Sequence, residues 1–158
     1  MRLRLVIPVV VAVAALGSAA SRAAAQGVEA EVVRTVQKVF EAMRVRDTAA
    51  LRAVFDTGMR LINTSNRDGV PRVRVTTAAG FISLVGAAKD TLVERMHTPE
   101  VRIEDNMATL WARYDFYVNS KLSHCGVDSF QLARTQAGWK IMNIVDTQRT
   151  EGCGASSR

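Results

Sequence analysis

The sequence predicts an α+β domain in which three helices of the N-terminal half pack on a strongly bent, mainly antiparallel sheet of six strands. Three observations carry this. From Met107 to Thr150 the chain reads as three strands, MATLWARYDFYV, LSHCGVDSFQLART and WKIMNIVDTQRT, joined by connections short enough for hairpins. Between Val28 and Arg46, apolar residues recur at helical spacing instead. The order helix, helix, strand, strand, helix, four strands suits helices that cover one face of a sheet.

The chain opens with Arg2 and Arg4, the apolar run LVIPVVVAVAALG, and Ala23-Ala24-Ala25 as a small-residue cleavage signal. Residues 1–25 therefore read as a secretory signal peptide. A retained membrane anchor is the alternative, but the run is short and Pro8 interrupts its start. No cysteine follows the run, so a lipid anchor is not indicated. Of 158 residues, removal of 25 leaves 133, which suits a single domain over 26–158 with one core. The product is expected to be periplasmic or secreted, with no membrane attachment after cleavage. Losing Arg2, Arg4 and Arg22 lowers the formal charge from +6 to +3, because no acid is removed with them. With no Lys/Arg run and 6% aromatic residues, nucleic-acid binding has little support.

In the first helix Val32, Val36, Val39, Phe40 and Met43 form an apolar stripe, with Arg34, Lys38, Glu41 and Arg44 between them. Asp47 or Thr48 can cap a second, short helix carrying Leu51, Val54 and Phe55, which Gly58 ends. MRLINTS and RVRV flank the turn signal NRDGVP and read as a hairpin. Thr76 or Thr77 caps the segment AAGFISLVGAA, whose Phe81, Leu84, Val85 and Ala88 suit a third helix packed on the sheet. A strand from about Leu92 to Glu104 turns at Asp105-Asn106 into the next. Pro99 argues that this strand lies at a sheet edge, where a missing N–H matters least.

The register of the last strands points to a pocket. If Asn119-Ser120 is a two-residue turn, Val118 faces Lys121, Asp115 faces His124 and Trp111 faces Asp128. If Gln136, Ala137 and Gly138 make a three-residue turn with Gly138 left-handed, Thr135 faces Trp139, Asp128 faces Asp146, Phe130 faces Ile144 and Leu132 faces Met142. Strand alternation then places Trp111, Arg113, Asp115, Tyr117, His124, Asp128, Phe130, Ile144 and Asp146 on one face. Leu110, Ala112, Tyr114, Phe116, Cys125, Val127 and Val145 share the other. The first face mixes aromatics with ionisable groups, a composition that suits a cavity wall, although a solvated strand face also carries charges. Like charges at Asp128 and Asp146 need a cation, solvent or a shared proton, and Arg113 and His124 are the nearest sources of charge. Pairing Glu104 with Met107 adds Glu100 to this face, sets Met96 opposite Asp115 and turns His97 towards Tyr114. A bulge at Pro99 reverses His97.

In an oxidising compartment the two cysteines are expected to pair. Cys125 lies opposite Arg149, so a tail folding back about four residues brings Cys153 to it. Such a disulfide staples the C-terminus to the sheet, worth roughly 2 to 4 kcal/mol. A metal site or a catalytic thiol is the alternative, for which no third cysteine or HxxH-type spacing speaks. No metal or other cofactor is expected. A nucleotide-binding loop, a GxSxG elbow and a metal-ligand cluster are all absent from the sequence.

Together with this element order, YDFYVNSKLSHCGVDSFQLARTQAGWKIMNIVDTQR resembles the nuclear transport factor 2-like superfamily, in particular its small exported bacterial members of unassigned role. The resemblance covers roughly Val28 to Cys153, and SHCGVDSFQL and W-K-I-x-N-I-x-D-T are its most specific parts. It implies a cone-shaped α+β fold with a cavity between bent sheet and helices, often dimerised through the sheet's outer face. It implies no single activity, since the superfamily spans ketosteroid isomerases, scytalone dehydratase, SnoaL-like polyketide cyclases and non-catalytic domains. The catalytic patterns of those enzymes do not map onto this chain residue by residue. Three functions therefore stand side by side. In the first, Trp111, Arg113, Tyr117 and Phe130 hold a small apolar or cyclic molecule. In the second, Asp115 orients His124 while Asp128 or Asp146, desolvated by Trp111 and Phe130, moves a proton in an isomerase, dehydratase or cyclase reaction. The third is a homodimeric interaction domain in which an outer face with Tyr114 and Phe116 matters most.

Overall fold

The computed structural model describes residues 12–154, with side chains from residue 24 onward. The first eleven residues of the expected leader lie outside the described residues, and its remainder is the helical start of α1, Ala12–Val45. Among the described residues no helix is long and apolar enough to cross a membrane. In α1 the buried side chains Val32, Val36, Val39, Phe40 and Met43 follow the helical repeat and form one stripe against the sheet. The carboxylate of Asp47 accepts from the N–H groups of Ala49 and Ala50 at 3.0 and 2.9 Å, which starts α2, Thr48–Val54.

Strand β1, Phe55–Arg67, begins where α2 ends, so Gly58 lies within a strand and does not stop the helix as expected. Phe55 is buried there as a strand residue. Asp68 and Gly69, with φ of 55° and 76°, turn the chain into β2, Val70–Thr77. The hydroxyl of Thr77 accepts from Gly80 N–H at 3.1 Å and caps α3, Ala78–Ala87. This helix buries Ala78, Ile82 and Val85, whereas Leu84, expected on the packed face, is 61% exposed.

Four strands complete the chain: β3 Leu92–Glu104, β4 Met107–Val118, β5 Lys121–Thr135 and β6 Gly138–Gln148. The curved sheet runs β2-β1-β6-β5-β4-β3, antiparallel except for the parallel pair β1 and β6. Pro99 thus sits in an edge strand. The three helices cover one face and share a core with Leu110, Ala112, Phe130, Leu132, Ile141 and Ile144. Several bulges interrupt the ladders, near Ser123 in β5, Met142 in β6 and Thr98-Pro99 in β3. Each adds a residue to one strand and sharpens its bend.

Beyond Gln148 the chain stays against β5. Cys125 and Arg149 exchange backbone hydrogen bonds of 2.9 Å in both directions, and Cys125 is disulfide-bonded to Cys153.

Candidate functional site

Helices α1 and α3 and the sheet face beneath them enclose a cavity of about 290 Å³. Its helix side is apolar, with Val39, Phe40 and Met43 from α1 and Phe81, Leu84 and Val85 from α3. Leu84 lines this cavity and is not part of the core. Phe116 and Phe130 extend this lining from the sheet, and among these side chains stand Glu94, Tyr114, His124, Asp128 and Asp146.

The register decides which side chains reach the cavity. The Asn119-Ser120 turn forms, with both residues left-handed at φ of 49° and 67°, and Val118 pairs with Lys121. One residue later a bulge at Ser123 shifts β5, so His124 pairs with Phe116 and Asp115 with Cys125. Asp128 lies opposite Ala112 rather than Trp111. Trp111, Arg113, Asp115 and Tyr117 therefore stand on the sheet's other face, away from His124, Asp128, Phe130 and Asp146. Tyr114 and Phe116, expected outside, point into the cavity.

On that outer face Asp115 is buried and accepts from or pairs with His97 Nε2 at 3.0 Å, so the imidazole partnering Asp115 is His97 and not His124. The bulge at Thr98-Pro99 produces this by setting His97 opposite Arg113, and Met96 opposite Tyr114 rather than Asp115. Glu100 remains opposite Trp111 but shares its outer face, so it supplies no carboxylate to the cavity. Tyr117 lies under the guanidinium of Arg95, 4.7 Å from ring centre to Cζ. The β5–β6 turn also differs from expectation, because Thr135 pairs with Gly138 and Leu132 with Ile141. The bulge at Met142 compensates, and Asp128 faces Asp146 after all.

Glu94, which the sequence reasoning passed over, completes an acid cluster with these two. Its signal was the alternation Leu92, Glu94, Met96, one charge in an otherwise apolar row of β3. Although the residue is partly exposed along the edge strand, its carboxyl is desolvated in the cavity. Burial first, then the charge of Asp128 and a hydrogen bond with it, pushes Glu94 well above the ordinary carboxylate range. Asp128 is 4% exposed. Desolvation raises it to about 7 with help from the charge of Asp146, while the Glu94 hydrogen bond opposes the rise. Both groups are thus pushed toward protonation and titrate as a pair. Oδ2 of Asp128 is buried and has no hydrogen-bond partner.

Asp146 is raised by burial, against hydrogen bonds that favour its charge. Asn63 Nδ2 donates to both its oxygens, at 2.9 and 3.1 Å, and Arg74 adds an opposing charge. The Tyr114 hydroxyl donates to Thr147 O at 2.9 Å and only brushes Asp146 at 3.5 Å. Its pKa is driven up by burial and then by the three acids around it. His124 stacks on Phe116, with centroids 4.7 Å apart, and accepts from Gln148 Nε2 at its own Nε2, 2.8 Å away. Burial lowers its pKa, which favours the neutral ring. Among the described residues, no three His, Cys, Asp or Glu side chains converge as a metal-holding group.

No family profile matches the chain, and neither does any curated protein sequence. Solved structures do. A nuclear transport factor 2-like protein with a cystatin-like fold from Novosphingobium aromaticivorans aligns with a TM-score of 0.66 at 14% identity, over 89% of this chain and 93% of its own. A nuclear transport factor 2-like superfamily protein from Salmonella enterica aligns with 0.64 at 12% identity, over 85% and 99%. A candidate dehydratase of the same fold family from Streptomyces avermitilis aligns with 0.59 at 16% identity, over 79% and 97%. At these identities the likeness is one of fold.

Proposed function

We propose, from the premise that this chain has the nuclear transport factor 2-like fold, that it is an exported small-molecule-binding domain. The ligand lies between α1, α3 and the sheet, its apolar part against the phenylalanines and its polar end at Asp128. One observation carries this reading: a carboxylate oxygen, Asp128 Oδ2, is buried without a partner in a half-open, mostly apolar cavity. An unpaired buried acceptor costs about 1 to 3 kcal/mol, which a ligand's donor removes. Export is supported by the leader-like N-terminus and by the Cys125–Cys153 disulfide, a bond that persists in oxidising compartments.

A second reading, acid–base catalysis, is favoured by the position of Asp128 near pH 7. A carboxylate poised there can take a proton from a carbon beside a carbonyl and return it, with Glu94 holding the second proton of the pair. Either reading places Asp128 at the centre, and neither calls for a cofactor.

One experiment addresses both. Native mass spectrometry of protein recovered from an exporting host should reveal a bound small molecule that leaves on denaturation and is missing from Asp128→Ala. Incubating that molecule with the protein in D₂O then separates the readings. Deuterium entering carbon positions, and not entering with Asp128→Asn, supports catalysis; an unlabelled molecule supports binding alone. Ligand retained at full occupancy by Asp128→Ala would reject the site.

A further inference from the structure

We infer that the ligand of this cavity is a small apolar amine, bound as its ammonium ion against Asp128 and Asp146 with its hydrocarbon part among the aromatic rings. The inference deepens the binding reading above and rests on it. Among the donors beside the cluster, Tyr114 is engaged with Thr147 O, Asn63 with Asp146 and Gln148 with His124, and the Arg74 guanidinium, which also lines the cavity, acts on Asp146. An acceptor is left over, since Asp128 Oδ2 is buried with no partner. A ligand carbonyl or carboxylate would meet oxygens there, whereas an N–H would meet what the site lacks.

Charge points the same way. Asp128 and Asp146 face one another across β5 and β6, where paired side chains stand about 5 Å apart. Two carboxylates at that distance repel unless a proton is bound or a cation lies between or beside them. Asn63 and Arg74 serve Asp146 from one side, and nothing cationic among the described residues lining the cavity serves Asp128. The cluster does not have the convergence of a metal site, which leaves an organic cation as the fitting charge. The surrounding walls include the aromatic rings of Phe40, Phe81, Phe116, Phe130 and Tyr114, side chains with which ammonium ions interact favourably. A volume of about 290 Å³ limits the guest to the small end of ligand pockets.

The titratable and charged groups that line the cavity around Asp128 are Glu94 from β3, Tyr114 from β4, His124 from β5, Asp146 from β6 and, acting on Asp146, Arg74 from β2. Helices α1 and α3 contribute only apolar side chains to the cavity. An ammonium ion stabilises the ionised cluster, so its binding expels a proton where the cluster is still partly protonated. Affinity for an amine should therefore rise with pH up to about 7 and then level, while affinity for a neutral analogue stays flat.

The test is calorimetric titration of the full protein with 2-phenylethylamine, 2-phenylethanol and phenylacetate, at about pH 5.5 and about pH 8. The expected order at the higher pH is amine about tenfold or more tighter than alcohol, with no phenylacetate binding. Asp128→Asn should bring the amine down to the level of the alcohol. Glu94→Gln, which imitates the protonated acid, should keep the preference and covers the case in which the Asp128 variant does not fold. Alcohol or phenylacetate binding as tightly as the amine overturns the inference and leaves the pocket reading standing, as does an amine preference that survives Asp128→Asn or does not grow with pH. Failure of all three probes to bind overturns the inference, while the pocket reading is decided by the mass-spectrometric comparison with Asp128→Ala.

Discussion

Moving the Asp128 carboxyl from water into the cavity raises its pKa from the ordinary 3.8 to about 7. Each tenfold gain in proton affinity corresponds to about 1.4 kcal/mol. Between those two pH values the folded state binds the proton and the unfolded state does not, so stability is full at low pH and is lost as pH rises through 7. An asparagine in this position has no charge to desolvate and can donate to Asp146 or Glu94. Asp128→Asn should therefore stabilise the fold at pH 8 by roughly 2 to 4 kcal/mol, and the gain should vanish near pH 4. Urea denaturation at the two pH values reads this directly; a variant no more stable than the parent at pH 8 would show that the carboxylate is solvated. Glu94 contributes with the same sign, but the two titrate as a pair and their effects do not add. A residue that weakens its own fold in this way is what a functional site looks like energetically.

At the level of elements, the site depends on how closely β5 and β6 approach around Gly126. A Cβ placed there would stand 1.8 Å from the carbonyl oxygen of Thr147 and 2.9 Å from the ring of Tyr114. The first contact is with backbone, which cannot rotate away. Gly126→Ala is accordingly expected to cost about 3 kcal/mol or more, or to prevent folding, measured by urea denaturation. If folded, it should also part Gln148 from His124, since both lie within this crossing. A full-stability alanine variant would mean that β6 lies further out than described. The bulges belong to this scale too. The Asn119-Ser120 turn was legible from its residues, but the bulge at Ser123 had no local mark, and it exchanged the faces of Asp115 and Tyr114. A bulge answers to the curvature that the whole sheet needs in order to wrap its helices, and that demand comes from distant segments.

For the molecule as a whole, two links remain to be tested. The Cys125–Cys153 bond closes a loop of 28 residues in sequence separation and ties the tail to the sheet's centre. Its removal by reductant or by paired alanines should lower stability by roughly 3 to 4 kcal/mol in denaturant titrations. An unchanged midpoint would indicate that the strand ladder alone holds the tail. We also propose that the outer sheet face forms a homodimer. The residue to perturb there is Trp111, 53% exposed, and not Phe116, which lines the cavity. Trp111→Glu should convert a dimer to a monomer in light scattering, and a parent protein that is monomeric at about 100 µM would rule the dimer out.

The sequence by itself determined the elements and their order: the apolar stripe of α1, a cap at Asp47 or Thr48 and another at Thr76 or Thr77, the Asn119-Ser120 turn and the alternation of the last strands. These are local, because spacing and capping are satisfied within a few residues. It also brought Asp128 opposite Asp146 and Cys125 opposite Arg149, since two register differences in β6 cancel before those positions. Only the tertiary structure decided which strand faces line the cavity. One inserted residue in β5 and one in β3 exchange inside for outside along whole strands, and so replace Asp115, Trp111 and Glu100 by Tyr114, Phe116 and Glu94. Where such an insertion falls is settled by the packing of helices on a curved sheet, which no short stretch of the chain encodes.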